Sequence, residues 1–185
     1  MAVWIVIGVL VALLVFFCLA ILGTMQEVVA LRSEVKLFRD IVQHPPPPAF
    51  VGGPAPSEMV ELMRSGVASN SDKHVVAFIA PGCGPCEDLA SGLTTAVSEA
   101  AFSARDVSVV IWAATADGAH EFADRIPLAT VLDVGGKISR RCEVRSTPTL
   151  FLVSQSDLTV ADYSPEGSLE WIKTRLAETQ KMQVA

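Results

Sequence analysis

The pattern of hydrophobic and polar positions changes character along the chain. From Ala2 to Gly23 the sequence reads AVWIVIGVLVALLVFFCLAILG, with no charged side chain. At about 1.5 Å per residue, a helix of this run is about 33 Å long, enough to cross the ~30 Å apolar core of a bilayer. No Lys or Arg precedes the run, it is too long for the apolar core of a cleavable signal, and no small-residue cleavage pattern follows. The pattern therefore predicts an uncleaved transmembrane anchor over residues 1–23. Residues 24–43 mix charged and apolar positions without Gly or Pro, and Val28, Leu31, Val35, Phe38 and Val42 recur at alternating steps of three and four. That is the seam of a helical stalk, although two heptads are short for a coiled coil. A weak parallel dimer and an amphipathic helix lying on the membrane or on the domain are its two readings. Pro45 to Pro48, then Gly52-Gly53-Pro54, predict a stiff linker over residues 44–56, because proline lacks the amide donor a helix needs.

From Ser57 the pattern is that of a folded domain, residues 57–185. Met59, Val60, Leu62 and Met63 suit a short helix. His74 to Ala80 (HVVAFIA) reads as a buried strand, Cys83 to about Ala101 as a helix, and Val107 to Ala113 (VSVVIWA) as a second strand. Helix follows from about Gly118 to Arg125, then an irregular segment. Thr149 to Val153 (TLFLV) is a strand, with Leu158 to Ala161 its hairpin partner. Ser164 is a candidate cap and Pro165 a first-turn residue for a last helix, which puts Leu169, Ile172 and Leu176 on one face. The order β-α-β-α-β-β-α, after one short helix, implies an α/β fold: a mixed sheet covered by helices on both faces.

Composition adds exclusions. The mean hydropathy of +0.45 is high, but the excess is concentrated in the first residues, which argues for one anchored domain and against a multi-span transporter. The net charge of −6 comes without any Lys/Arg cluster, so a nucleic-acid partner is not expected. Four cysteines are too few for a disulfide scaffold. Cys18 lies inside the apolar run and reads as a small apolar side chain. Cys83 and Cys86, two residues apart, point to redox chemistry or metal.

Their setting favours redox chemistry. A buried strand runs into Pro81-Gly82, and a helix begins at Cys83. Unpaired amides and the partial positive charge of a helix N-terminus favour the thiolate, the form that attacks disulfides. Cys86 follows by nearly one turn, within reach of Cys83, and Pro85 in the first turn forfeits no helical hydrogen bond. Zinc would need four ligands, and only Cys142, His44, His74 and His120 remain, none in a second paired spacing. Cu(I) suits thiolates, but no Met/His cluster accompanies them. Neither a metal nor a cofactor is expected. Cys142 is expected as an unpaired thiol at the surface or partly buried, and His74 and His120 as solvent-facing residues.

Gly82-Cys83-Gly84-Pro85-Cys86 resembles the active site of the thioredoxin-like superfamily, and Cys142 to Leu150 (CEVRSTPTL) resembles the segment that leads into its cis-proline strand. The resemblance covers about residues 57–180. With the anchor and stalk, the chain looks most like the membrane-tethered TlpA and MauD-type proteins. What the resemblance implies is a thioredoxin-like sheet, Cys83 as nucleophile, Cys86 as resolving thiol, and a cis bond at Thr147-Pro148. It also implies that Gly82, Gly84, Pro85, Thr147 and Pro148 form the surface against which a substrate strand lies. Sequence alone would make that bond trans, since only about 5–6% of X–Pro bonds in folded proteins are cis. Two positions depart from the pattern. Gly82 stands where a tryptophan is common, and Ala77 stands where thioredoxins bury an acid that helps deprotonate the resolving thiol.

The function expected is that of a membrane-anchored thiol–disulfide oxidoreductase. Its clients would be extracytoplasmic proteins whose disulfides it reduces during maturation of metalloenzymes or cytochromes. A membrane electron donor or acceptor would be its partner. The alternative is a non-enzymatic binding module: a client holdase or a copper-delivery protein. Side of membrane is contested. Arg32, Lys36 and Arg39 after the span favour a cytoplasmic domain, whereas disulfide reduction is called for where disulfides form. The extracytoplasmic side is the expectation.

Overall fold

A computed structural model describes residues 47–65 and 71–183. They belong to one compact unit that begins at Pro47. The expected anchor and stalk, and the part of the expected linker before Pro47, lie outside the described residues. Among the described residues no helix is long and apolar enough to cross a membrane.

The elements are α1 (Ser57–Ser65), β1 (Lys73–Ile79), α2 (Gly84–Ser98), a 3-10 turn (Ala104–Asp106), β2 (Val107–Ala113), α3 (Ala116–Ala123), β3 (Ala129–Val134), α4 (Lys137–Arg141), β4 (Thr149–Ser154), β5 (Val160–Ser164) and α5 (Leu169–Gln183). They build one five-stranded sheet in the order β3-β2-β1-β4-β5. β1, β2 and β3 are parallel, with Ile79 opposite Ile111 and Trp112 opposite Asp133. β4 and β5 run antiparallel to their neighbours, with Phe78 opposite Thr149. This mixed sheet with helices on both faces fits the thioredoxin-like α/β arrangement.

Alternation along the strands sorts two cores. Val75, Ala77, Ile79, Val109, Ile111, Leu150 and Leu152 face α2, α3 and α5, where Leu89, Leu93, Phe122 and Ile172 close over them. Val76, Phe78, Val110, Phe151 and Val153 face the other way, under Met59 and Leu62 of α1 and beside Cys142. Phe78 meets Phe151 edge-on at 5.8 Å. Each such fully buried side chain contributes about 1.5–3 kcal/mol by leaving water. Both faces of β1 are thus covered, which is why KHVVAFI reads as a continuous apolar run after its first residues.

Several expectations need correction. The segment left irregular after Arg125 contains β3 and α4. Ala129–Val134 is an edge strand with mostly half-exposed positions, so its apolar signal is weak. α4 is a single turn of Lys137-Ile138-Ser139-Arg140-Arg141, and its start is organised by Asp133, which accepts from the amides of Ile138 (2.9 Å) and Ser139 (2.7 Å). Burial alone would push the Asp133 carboxyl up, but the bonds from the Ser139 hydroxyl and the three amides of Ser139, Ile138 and Lys137 bring it below its usual value. The last helix starts at Leu169. Ser164 and Pro165 do not cap it, because pairing with Leu150 keeps Ser164 in β5, and Ser168 accepts the Trp171 amide at 3.2 Å.

Residues 47–56, read as linker, are packed onto the domain. Gly52 donates to the Val160 carbonyl at 2.8 Å, Val160 to Gly53 at 2.9 Å, and Ala55 to Leu158 at 2.8 Å. Phe50 lies 5.5 Å from the Phe151 ring. This segment covers the outer edge of β5, which would otherwise present unpaired amides and carbonyls.

Candidate active site

The site begins where β1 ends. Six buried residues in a row carry the chain up the middle of the sheet, and a turn at Pro81-Gly82 redirects it into α2. Gly82 has φ +75, a conformation that a side chain would strain although the space around it is open. Cys83 is the N-cap of α2 in extended conformation, and its carbonyl accepts from the amides of Cys86 and Glu87, each at 3.0 Å. Pro85 occupies the first turn, as its missing amide allows.

This turn brings Cys83 and Cys86 together as a disulfide, with Cα atoms 5.2 Å apart. The two sulfurs differ in access. Cys86 is fully buried in the core beneath α2, whereas Cys83 is partly exposed. Cys83 is therefore the outer member of the pair and Cys86 the inner one.

The segment before β4 closes the other side. The Thr147-Pro148 bond is cis, as the resemblance implied. The carbonyl oxygen of Thr147 stands 3.5 Å from the Cys83 sulfur. The Thr149 hydroxyl donates to the Ser146 carbonyl at 2.7 Å and holds this segment from behind. Gly82, Gly84 and Pro85 are at the surface, Thr147 is half-buried and Pro148 buried. All seven residues expected at the site therefore lie in the two segments that meet at the Cys83 sulfur.

Sequence reasoning missed two participants. Gly167, at φ +46, lies against Pro148 so closely that a Cβ there would stand 2.7 Å from the proline Cβ. It holds the proline in place from the β5–α5 turn, and the only sequence signal was a Gly-Ser pair ahead of an amphipathic helix. Arg125 pairs with Glu87 of the first turn of α2 at 2.9 Å and lies over the Phe122 ring at 4.8 Å, so it tethers the end of α3 to the cysteine helix. Both its charges are well exposed, so the pair is worth no more than about 1 kcal/mol.

Other candidates stand apart. Ala77 is fully buried in the same core as Cys86, so a methyl group occupies the position where a carboxylate could have accepted the Cys86 proton. Cys142 is buried, not at the surface. Burial pushes its thiol up to about 12, helped by the charges of Glu58 and Asp133, so it is not a thiolate at ordinary pH. His74 is buried too, because β1 places it beside Ser108, and its Nε2 and the Ser108 hydroxyl are 2.9 Å apart. His120 is exposed on α3, and His44 lies outside the described residues. Among the described residues no three His, Cys, Asp or Glu side chains converge as a metal site. The arrangement at Cys83 and Cys86 is chemically capable of one thing above all, thiol–disulfide exchange.

Comparison with family models and with curated proteins gives no match. Several solved structures are similar at low identity. A secreted disulfide oxidoreductase of Mycobacterium tuberculosis, described as homologous to E. coli DsbE, shares 16% identity over 58% of this chain and 81% of its own, with a TM-score of 0.48. StoA from Bacillus subtilis shares 17% over 57% of this chain and 83% of its own, at 0.46. The N-terminal domain of PilB from N. meningitidis, in its reduced form, shares 18% over 61% and 83%, at 0.49.

Proposed function

We propose that the protein is a membrane-anchored thiol–disulfide oxidoreductase that reduces disulfides of extracytoplasmic client proteins. The observation that carries the reading is the outer-and-inner pair Cys83 and Cys86 at the start of α2, facing Thr147 and Pro148. The Cys83 thiolate attacks one sulfur of a client disulfide, forming a mixed disulfide and releasing the other client sulfur as a thiolate. Cys86 gives up its proton, attacks the Cys83 sulfur, closes the Cys83–Cys86 disulfide and releases the second client thiol. The client gains two electrons and the pair loses two, which an external dithiol or a membrane electron donor must return. With alanine at position 77, water or another group, such as the thiolate released from the client, takes the Cys86 proton.

The Gly84-Pro85 dipeptide supports the reducing direction through its resemblance to thioredoxins. The uncharged run before Thr24 supports the anchor, and the seam of residues 24–43 supports a stalk with a weak tendency to pair. Need for a reductant where disulfides form supports the extracytoplasmic side and the TlpA/MauD-type role in metalloenzyme or cytochrome maturation. The test uses the full chain in detergent. Cys83→Ser lowers turnover of a disulfide substrate by about a hundredfold or more. Cys86→Ser accumulates a mixed disulfide, visible by non-reducing electrophoresis. Unchanged client binding by both variants, with no exchange by the wild type, replaces this reading with the binding module.

A further inference from the structure

Arg125 and Glu87 meet as a two-pronged ion pair. Nη1 of the arginine stands 2.9 Å from Oε2 of Glu87, and Nη2 donates to Oε1 at 3.3 Å. The backbone of Arg125 is anchored further along the same helix, where its carbonyl accepts from the Thr94 hydroxyl at 3.4 Å. Thr94 lies two turns beyond Glu87 on α2. The arginine side chain therefore runs back along α2, over a groove also lined by Ala90 and Ser91, toward the turn that carries Cys83. The Phe122 ring beneath the guanidinium holds it there from a second side.

The place matters because of what Glu87 adjoins. It directly follows Cys86, and its amide donates to the Cys83 carbonyl at 3.0 Å. Like every helical Cβ, that of Glu87 tilts toward the helix N-terminus. A carboxylate in this first turn competes for the same partial positive charge that favours the Cys83 thiolate, and a like charge one turn away disfavours that thiolate. Asp88 adds a second carboxylate to α2, while the segments around the site carry Arg145 ahead of the cis bond and Glu166 ahead of Gly167. As a stabilising contact the exposed pair is weak. As a local charge it cancels the carboxylate bonded through its backbone to Cys83.

We propose that Arg125 is a positioning residue for the exchange reaction: by neutralising Glu87 it keeps Cys83 available as the attacking thiolate; this rests on the exchange activity proposed above. Arg125 acts through Glu87 and touches neither sulfur nor client. Its effect is therefore conditional on the carboxylate. Removing the arginine alone uncovers a negative charge beside Cys83, whereas removing both partners leaves the first turn as neutral as before.

The experiment follows alkylation of Cys83 against pH in the reduced full chain in detergent, reading the Cys83 peptide by mass spectrometry. Arg125→Gln is expected to move the midpoint up by about half a unit, which leaves about threefold less thiolate at any pH below it. Exchange with a small aromatic disulfide at such a pH slows by only about twofold, because a more basic thiolate is also more nucleophilic. Arg125→Lys keeps most of the wild-type profile, since it keeps the charge. Glu87→Gln combined with Arg125→Gln returns the midpoint to about the wild-type value. The charges of Asp88, Arg145 and Glu166 are the same in every variant, so the comparison isolates the pair. A midpoint unmoved in Arg125→Gln overturns the proposal, as does a rise that persists in the double variant. If the wild type reduces the aromatic disulfide while the midpoint stays unmoved, only the Arg125 assignment fails. If the wild type does not reduce it at all, the oxidoreductase reading fails and this one with it.

Discussion

His74 and Ser108 are thirty-four residues apart in sequence and within 2.9 Å in the fold, and burial at that place makes the histidine a pH-dependent stabiliser. Burial pushes the imidazole down to about 4, against the Asp106 carboxylate and the bond to the Arg105 backbone, which both pull it up. The unfolded chain titrates near ~6.5 and so binds more protons between the two values. Stability is therefore full above ~6.5 and falls as the pH drops toward 4, by about 2 kcal/mol between pH 7.5 and pH 5. Denaturant midpoints at those pH values should show the loss, and His74→Gln should flatten it; a wild-type profile flat over that range contradicts the assignment. The histidine's burial was illegible in HVVAFIA, because its partner enters from another strand. Cys83, Gly84, Pro85 and Cys86 were legible because their chemistry is made by one local turn. The cis bond at Pro148 came from resemblance alone, and Gly167 from neither, since the surface it touches is supplied by a distant loop.

Among the elements, the strongly apolar ones were legible and the edges were not. β1, β2 and β4 are buried on both faces and announce themselves as runs, whereas β3 is a half-exposed edge whose ATVLDV carries a weaker pattern. Residues 47–56 are the instructive case. Their prolines and glycines read as spacer, yet the same residues bond to β5 and place Phe50 on Phe151. Proline and glycine fit a strap that crosses an edge strand with few ladder bonds, so composition alone could not separate strap from spacer. Phe50 is half-buried, and Phe50→Ala is expected to lower stability by about 1–3 kcal/mol while the disulfide still exchanges. Chemical denaturation beside a turnover assay checks both halves. An unchanged midpoint would mean that the strap does not hold Phe50 against the core.

At the scale of the molecule, one sheet end gathers the chemistry. The Cys83–Cys86 pair, the Thr147-Pro148 segment and Gly167 come from three separate stretches of the chain, brought together where β1 ends and β4 begins. The opposite end holds His74 and Asp106 in a closed, structural cluster. This division leaves the redox claim resting on a single pair of sulfurs. The most direct measurement is the equilibrium reduction potential of the full chain in detergent, titrated against a dithiol redox buffer. The account predicts one reversible two-electron transition lying nearer the ~−270 mV of thioredoxin than the ~−120 mV of DsbA. A transition near ~−120 mV would contradict the reducing direction, and no reversible transition at all would contradict the oxidoreductase itself.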